Sequence, residues 1–246
     1  MINNIYLEEL EKRYLDYIVT SLRQDLSGLV KGLNSRIKLL NDWRNKFLKT
    51  ARKGYKTSDL DAGAERIFHH LFTPMFKFPN SCPIGSDLMY QTEDAIVNIE
   101  IKTNLVTNPD YKGKVQLGRN QISYGFTNFK PNLPPFYKSV KLPTLTYVIQ
   151  IVHEYMRPRI NALNVIYIPN GRLLKYYGPS ILQAGKGGWN KATDIRYKYI
   201  KEPRFLLLSQ KYNKTIFRVE ILILDKKLGI KGLTSKDLPI TPYKII

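Results

Sequence analysis

Cysteine is almost absent from this chain. Cys82 stands alone, which rules out an internal disulfide and any cysteine-rich zinc site and points to a small buried hydrophobe. Histidine is nearly as scarce, and two of the three, His69 and His70, are adjacent. On a helix neighbours diverge by about 100°, so this pair cannot chelate one cation. No stretch approaches the roughly eighteen uncharged apolar residues of a membrane span, and the N-terminus lacks the apolar block of a signal peptide. The expectation is a soluble protein of the cytoplasm. There is no internal repeat. The glycines around Lys186 do not form a nucleotide-binding P-loop, because no Ser or Thr follows that lysine.

Acidic residues are also few. Twenty Asp and Glu stand against thirty-nine Lys and Arg, leaving +19 in 246 residues and a pI near 9.8. Such a surplus is the electrostatic footprint of a polyanionic partner, of which nucleic acid is the obvious one. A hydrophobic fraction of 43% with 12% aromatics supplies a substantial core, which excludes a basic disordered tail. The organisation expected is an N-terminal helical region over residues 1–56 and a core over 57–246, together one compact domain.

The most informative stretch is residues 84–103, IGSDLMYQTEDAIVNIEIKT. Successive strand side chains point to opposite faces, so Asn98, Glu100, Lys102 and Asn104 share one face while Val97, Ile99, Ile101 and Leu105 share the other. The preceding apolar run carries Asp87, and Thr92-Glu93-Asp94 is short enough to fold the two runs into a hairpin. Two carboxylates and a lysine then converge. Hard divalent cations take oxygen ligands, and Mg²⁺ is held by one or two carboxylates with phosphate and water completing its shell. A lysine beside them can hold an attacking water and stabilise charge growing at phosphorus. The alternative is a solvated edge strand whose Glu and Lys are surface charge.

Ser86-Asp87, twelve intervening residues and Glu100-Ile101-Lys102 resemble the signature of the PD-(D/E)xK nuclease superfamily, which includes most type II restriction endonucleases. The superfamily's first acid falls on Asp87 and its acid-x-lysine on Glu100 and Lys102. Ser86 stands where the signature has proline, a position without chemistry. The resemblance spans about residues 59–121. It implies an α/β fold, a central mixed β-sheet flanked by helices, with Mg²⁺ between Asp87, Glu100 and the carbonyl of Ile101. Lys102 would activate water, leaving 5′-phosphate and 3′-hydroxyl ends. It further implies a glutamate on the preceding helix, matched by Glu65. A palindromic target would most simply be cut by a homodimer, since protein symmetry then mirrors site symmetry.

In chain order, apolar residues recur at three- and four-residue steps over residues 4–53, which predicts a helical arm broken at Ser27-Gly28. The arm packs on the core or forms a dimer interface. Thr57-Ser58-Asp59 signals a helix start, with the helix running to Phe72 and a loop punctuated by Pro74, Pro79 and Pro83 after it. Contacts to double-stranded DNA are expected from Asn104, Lys112, Lys114, Gln116, Arg119, Asn120 and Gln121. Arg, Asn and Gln suit guanine and adenine edges, and equally suit phosphates. A second recognition candidate is the basic, aromatic stretch holding Lys186, Trp189, Asn190, Lys191, Arg196 and Lys198, which could enter a groove or form a solvent-facing hairpin. Residues 126–143, rich in proline and lysine, read as an irregular segment. Residues 145–153 and 163–168 read as strands buried on both faces. Residues 205–209 and 215–224 read as a closing hairpin. The resulting expectation is a sequence-specific, Mg²⁺-dependent double-strand endonuclease. Its rivals are a repair nickase or junction resolvase on the same scaffold, and a non-catalytic nucleic-acid binder.

Overall fold

The computed structural model describes residues 3–37, 60–76, 78–79, 86–108, 113–118, 133, 135–136, 141–155, 157–172, 180, 182–185, 188, 194–199, 218–228 and 241–246. Helices α1 (Asn4–Gln24), α2 (Leu26–Ile37) and α3 (Leu60–Phe76) accompany ten strands. These are β1 (Phe78–Pro79), β2 (Leu88–Gln91), β3 (Ile96–Leu105), β4 (Lys114–Gly118), β5 (Thr144–His153), β6 (Ile160–Ile168), β7 (Leu182–Ala184), β8 (Asp194–Lys198), β9 (Val219–Leu224) and β10 (Lys244–Ile245). Seven build one mixed sheet in the order β1-β2-β3-β5-β6-β9-β10, and three build a small sheet in the order β4-β8-β7. β3 and β5 are parallel over ten residue pairs, from Ile96 opposite Thr144 to Leu105 opposite His153, and the β2–β3 and β5–β6 pairs are antiparallel.

The two faces of the large sheet are covered differently. Val97, Ile99 and Ile101 of β3 and Tyr147, Ile149 and Ile151 of β5 meet the buried stripes of all three helices, including Leu15, Ile18, Leu33, Phe68 and Phe72. Val148, Val152, Ile166 and Ile221 face the other way, against Val115, Leu117, Ile195 and Tyr197 of the small sheet. A strand between two covers has no solvated face, and this is why every residue of β6 is buried. Burial of each large apolar side chain contributes about 1.5–3 kcal/mol, which makes this double-sided core the main source of stability.

The helical arm packs on the core: α1 and α2 belong to the same apolar cluster as the sheet. Its break falls at Asp25 rather than at Ser27-Gly28, because the Asp25 carboxylate accepts from the Gly28 amide at 2.8 Å and caps the new helix. A Cβ on Gly28 would lie 2.0 Å from that carboxylate, so the glycine makes room for the cap. The predicted continuation over 38–53 and the predicted start at Thr57-Ser58-Asp59 lie outside the described residues. α3 runs four residues past Phe72 and takes Pro74 into its last turn, whereas the sequence places Pro74 in a loop. The reason is aromatic packing. Phe68, Phe72 and Phe76 form a column at i, i+4 spacing, and Phe76 stacks on Tyr90 of β2 with ring centroids 5.0 Å apart. That contact holds the turn despite the amide that Pro74 lacks.

The strands predicted over 145–153 and 163–168 are β5 and β6, each starting one to three residues earlier. Of the expected closing hairpin, β9 is present, with residues 205–209 outside the described set. Among the described residues of 126–143 only an isolated bridge, Phe136 to Pro143, is regular. Among the described residues no helix is long and apolar enough to cross a membrane.

Candidate active site

β2 and β3 form the expected hairpin, with Leu88 opposite Ile99. The turn is fixed locally by the Thr92 hydroxyl, which accepts from the Ala95 amide at 3.0 Å, and from outside by α1. Tyr14 of α1 lies within hydrogen-bond distance of Thr92 Oγ1 (2.7 Å) and Asp94 Oδ1 (2.6 Å), and Arg13 pairs with Asp94. At the other end Ser86 donates to the Leu88 carbonyl at 2.9 Å and approaches Asn98 Oδ1 at 3.2 Å. Asp87, between Ser86 and β2, is thereby held opposite Glu100.

Asp87, Glu100 and Lys102 come together. Asp87 Oδ2 accepts from the backbone amide of Ile101 at 2.7 Å. Lys102 Nζ donates to Glu100 Oε1. The main-chain N–H and C=O of one strand residue point to the same side, so the Ile101 carbonyl also faces the side where β2 has ended and, among the described residues, no strand is paired with it. Glu100 is buried, with only 5% of its side chain exposed against 29% for Lys102, and among the described residues its Oε2 has no hydrogen-bond partner. Burial pushes the Glu100 carboxyl up to about 7, the Lys102 ammonium opposing and Asp87 adding to the rise. Asp87 is raised too, chiefly by burial, against the pull of the Ile101 amide and Lys102.

Two acids of α3 complete the electrostatics. Glu65, exposed on the helix, is raised chiefly by desolvation and then by the negative charges of Asp87 and Asp61, with Lys102 opposing. Sequence reasoning missed Asp61. It accepts a hydrogen bond from Thr103 of β3, and its charge reaches Glu65, Asp87 and His153. The available signal was spacing, since Asp61 lies four residues before Glu65 and one helical turn apart on the same face. Among the described residues no three His, Cys, Asp or Glu side chains gather closely enough to hold a metal ion by themselves. The oxygens that could hold a cation here are those of two carboxylates, Asp87 and Glu100, and the Ile101 carbonyl. A buried carboxylate oxygen lacking any donor, beside a second raised acid, fits a hard cation that also takes oxygen from water or phosphate.

The remaining predicted residues divide. Lys114 and Gln116 lie on β4 and Arg196 and Lys198 on β8, where Gln116 pairs with Arg196 and Lys114 with Lys198. Gln183 of β7 extends the row on the far side of Arg196. Val115, Leu117, Ile195 and Tyr197 point inward, so this row is the outer face of the small sheet. Lys114 Nζ donates to Gln183 Oε1 at 2.9 Å, and Lys198 Nζ to the Ser180 carbonyl at 2.8 Å. The hairpin expected near residues 185–198 is thus the β7–β8 pair. Asn104 is half-buried, and its Oδ1 accepts from Gln150 at 3.0 Å. Lys112, Arg119, Asn120, Gln121, Lys186, Trp189, Asn190 and Lys191 lie outside the described residues.

A mixed sheet with helices on one face and a small sheet on the other, with an acid before one strand and an acid-x-lysine on the next, is the arrangement of a nuclease of the restriction-endonuclease class. Two solved structures share the fold. The restriction endonuclease BglI, solved bound to its DNA recognition sequence, is similar over 89% of this chain and 93% of its own, with a TM-score of 0.55 at 13% identity. The tetrameric restriction endonuclease SfiI, solved bound to cognate DNA, is similar over 80% of each chain, with a TM-score of 0.55 at 18% identity. No curated protein matches the chain by sequence. The family model of the N-terminal domain of the type II restriction enzyme MwoI matches residues 3–157, and the chain belongs to that family. It is a type II site-specific deoxyribonuclease.

Proposed function

We propose that this enzyme hydrolyses DNA phosphodiester bonds with Mg²⁺ held by Asp87, Glu100 and the Ile101 carbonyl, leaving 5′-phosphate and 3′-hydroxyl ends. The observation that carries the reading is Glu100, a buried carboxylate with one oxygen on Lys102 and the other without a donor among the described residues, opposite a second, half-buried acid whose carboxyl is also raised. When bound, the cation supplies positive charge against the phosphate oxygens and the charge growing in the transition state. Lys102, oriented by Glu100, holds the attacking water in line with the scissile phosphorus and gives up none of its own bonds to the strand. Water oxygen bonds to phosphorus, the bond from phosphorus to the 3′ oxygen breaks, the attacking water's proton passes to bulk solvent and the 3′ oxygen takes its proton from solvent, so no net proton is gained or lost. Glu65 and Asp61 keep the far side of the site negative, which favours the cation.

The outer row of the small sheet, Lys114, Gln116, Arg196 and Lys198, supports duplex contact, since forked and amide side chains suit base edges and phosphates alike. Asn104 supports the site from below through Gln150. Lys112, Arg119, Asn120, Gln121, Lys186, Trp189, Asn190 and Lys191 belong to the same basic sequence segments and are proposed as further DNA contacts on residue type alone. A palindromic target implies a two-fold homodimer, one active site per strand, acting in the cytoplasm. The test is digestion of a plasmid of known sequence with Mg²⁺ or with a chelator, followed by sequencing of the ends. Asp87→Ala, Glu100→Ala and Lys102→Ala should each abolish cleavage while DNA is still bound in a gel shift. Cleavage that persists in any of the three, or in chelator, refutes the assignment.

A further inference from the structure

Gln150 is the one amide in the apolar run of β5, and it lies directly beside Lys102 in the parallel register of β3 and β5. It is completely buried. Its Nε2 donates to Asn104 Oδ1 at 3.0 Å and to the Lys114 main-chain carbonyl at 2.9 Å. Its Oε1 accepts from Asn164 Nδ2 at 3.2 Å and from the Tyr199 hydroxyl at 2.6 Å. A primary amide has two donors and an acceptor oxygen with two lone pairs, so all four bonding positions are filled. The four partners belong to four segments: the catalytic strand β3, the small-sheet strand β4, the large-sheet strand β6, and the residue that follows β8.

Val115, Leu117, Ile195 and Tyr197 of the small sheet pack in one apolar cluster with Val148, Val152 and Ile166 of the large one. Apolar packing is non-directional and fixes distance better than register. Hydrogen bonds to one buried amide fix register, because a slip of either sheet would leave buried donors and acceptors unpaired. Asn104 lies two residues from Lys102 on the same face of β3, and Lys114 begins the strand whose outer face carries Gln116 opposite Arg196.

We propose that Gln150 is a positioning residue that couples the seating of the small sheet on DNA to the placement of Lys102. The inference rests on the DNA-cleavage reading above and adds a route by which a wrong site is left uncut. Without the coupling, the cutting strand no longer registers whether the small sheet is correctly seated.

The test uses the full chain with Gln150→Met, which keeps the side-chain length and removes every polar atom, and Tyr199→Phe, which removes one donor to Gln150. Three quantities are read: DNA affinity in chelator, the single-turnover cleavage rate with Mg²⁺, and the spectrum of sites cut in a plasmid of known sequence. Affinity should change by less than about threefold. The cleavage rate at the preferred site should fall, and the share of cuts at sites differing by one base should rise, each by about tenfold, the size of a typical coupling between sites. Tyr199→Phe should move both in the same direction by less. A rate loss that only follows the folded fraction, or a rate loss with the parent's site spectrum, overturns the coupling and leaves a structural amide. If Gln150→Met does not fold, Tyr199→Phe decides by the same two readouts. A parent that cuts no DNA overturns both readings, whereas a cutting parent with variants of unchanged spectrum overturns this one alone.

Discussion

Replacing Glu100 with glutamine tests the electrostatic account of the active site directly. Burial lifts the Glu100 carboxyl from 4.5 to about 7, with Lys102 opposing and Asp87 adding. A carboxyl raised in the folded state binds its proton more tightly there than in the unfolded chain. Its protonated form therefore stabilises the fold at low pH, and that stabilisation is lost as pH rises through about 7. At about 1.4 kcal/mol for each pH unit, the whole effect amounts to about 3 kcal/mol. Glutamine keeps the shape and cannot ionise. In urea unfolding followed by circular dichroism, in chelator, Glu100→Gln should exceed the parent by under about 1 kcal/mol near pH ~5 and by about 3 kcal/mol near pH ~8. Adding Mg²⁺ near pH ~8 should raise the parent more than the variant, since the variant lacks one of the two carboxylates proposed to hold the cation. Parent and variant curves that stay parallel across this range would refute the argument, for the acid would then be ordinary and its burial without electrostatic consequence.

Asp61→Asn removes a charge that raises both Glu65 and Asp87; their carboxyls should ionise more readily, so the acid limb of the cleavage rate against pH should move to lower pH. A limb that stays in place, or moves up, disproves the link. Arg196→Ala should weaken DNA binding by about 1–3 kcal/mol with relaxed preference if Arg196 reads a base, or lower the slope of log affinity against log salt by about one if it meets a phosphate; titrations at several salt concentrations separate the two, and an unchanged affinity removes the small sheet from the interface. Glu11→Ala would leave two buried guanidinium groups, Arg172 and Arg218, without the carboxylate they share. The expected cost is about 3–5 kcal/mol in unfolding free energy; a loss below about 1 kcal/mol would mean that water or another acid takes over the pair.

The hairpin was legible because its two faces differ in kind along residues 96–105. Apolar residues alternate with Asn98, Glu100, Lys102 and Asn104, and a strand turns that alternation into a buried face and a polar one. The same rule misleads as to what the polar face meets. It reads as solvated, and in the structure it is partly closed: Asn98, Lys102 and Asn104 are half-buried, Asn104 spends its oxygen on Gln150 and Glu100 is buried. Whether a polar face is open or roofed depends on strands far away in the chain, β4, β7 and β8, and periodicity within one strand carries no such information. The ion cluster of Glu8, Glu11, Arg172 and Arg218 escaped notice for a related reason. On an amphipathic helix of mixed charge an acid reads as surface charge, and only the arrival of arginines from beside β6 and β9 makes it interior. One local trace did exist. A glutamine between Ile149 and Ile151, in a strand otherwise fit for burial on both faces, has no place in such a run unless every one of its hydrogen bonds is met from a neighbouring segment. A lone amide in an apolar strand is therefore a statement about distant partners, and here those partners lie on β3, β4 and β6 and just beyond β8.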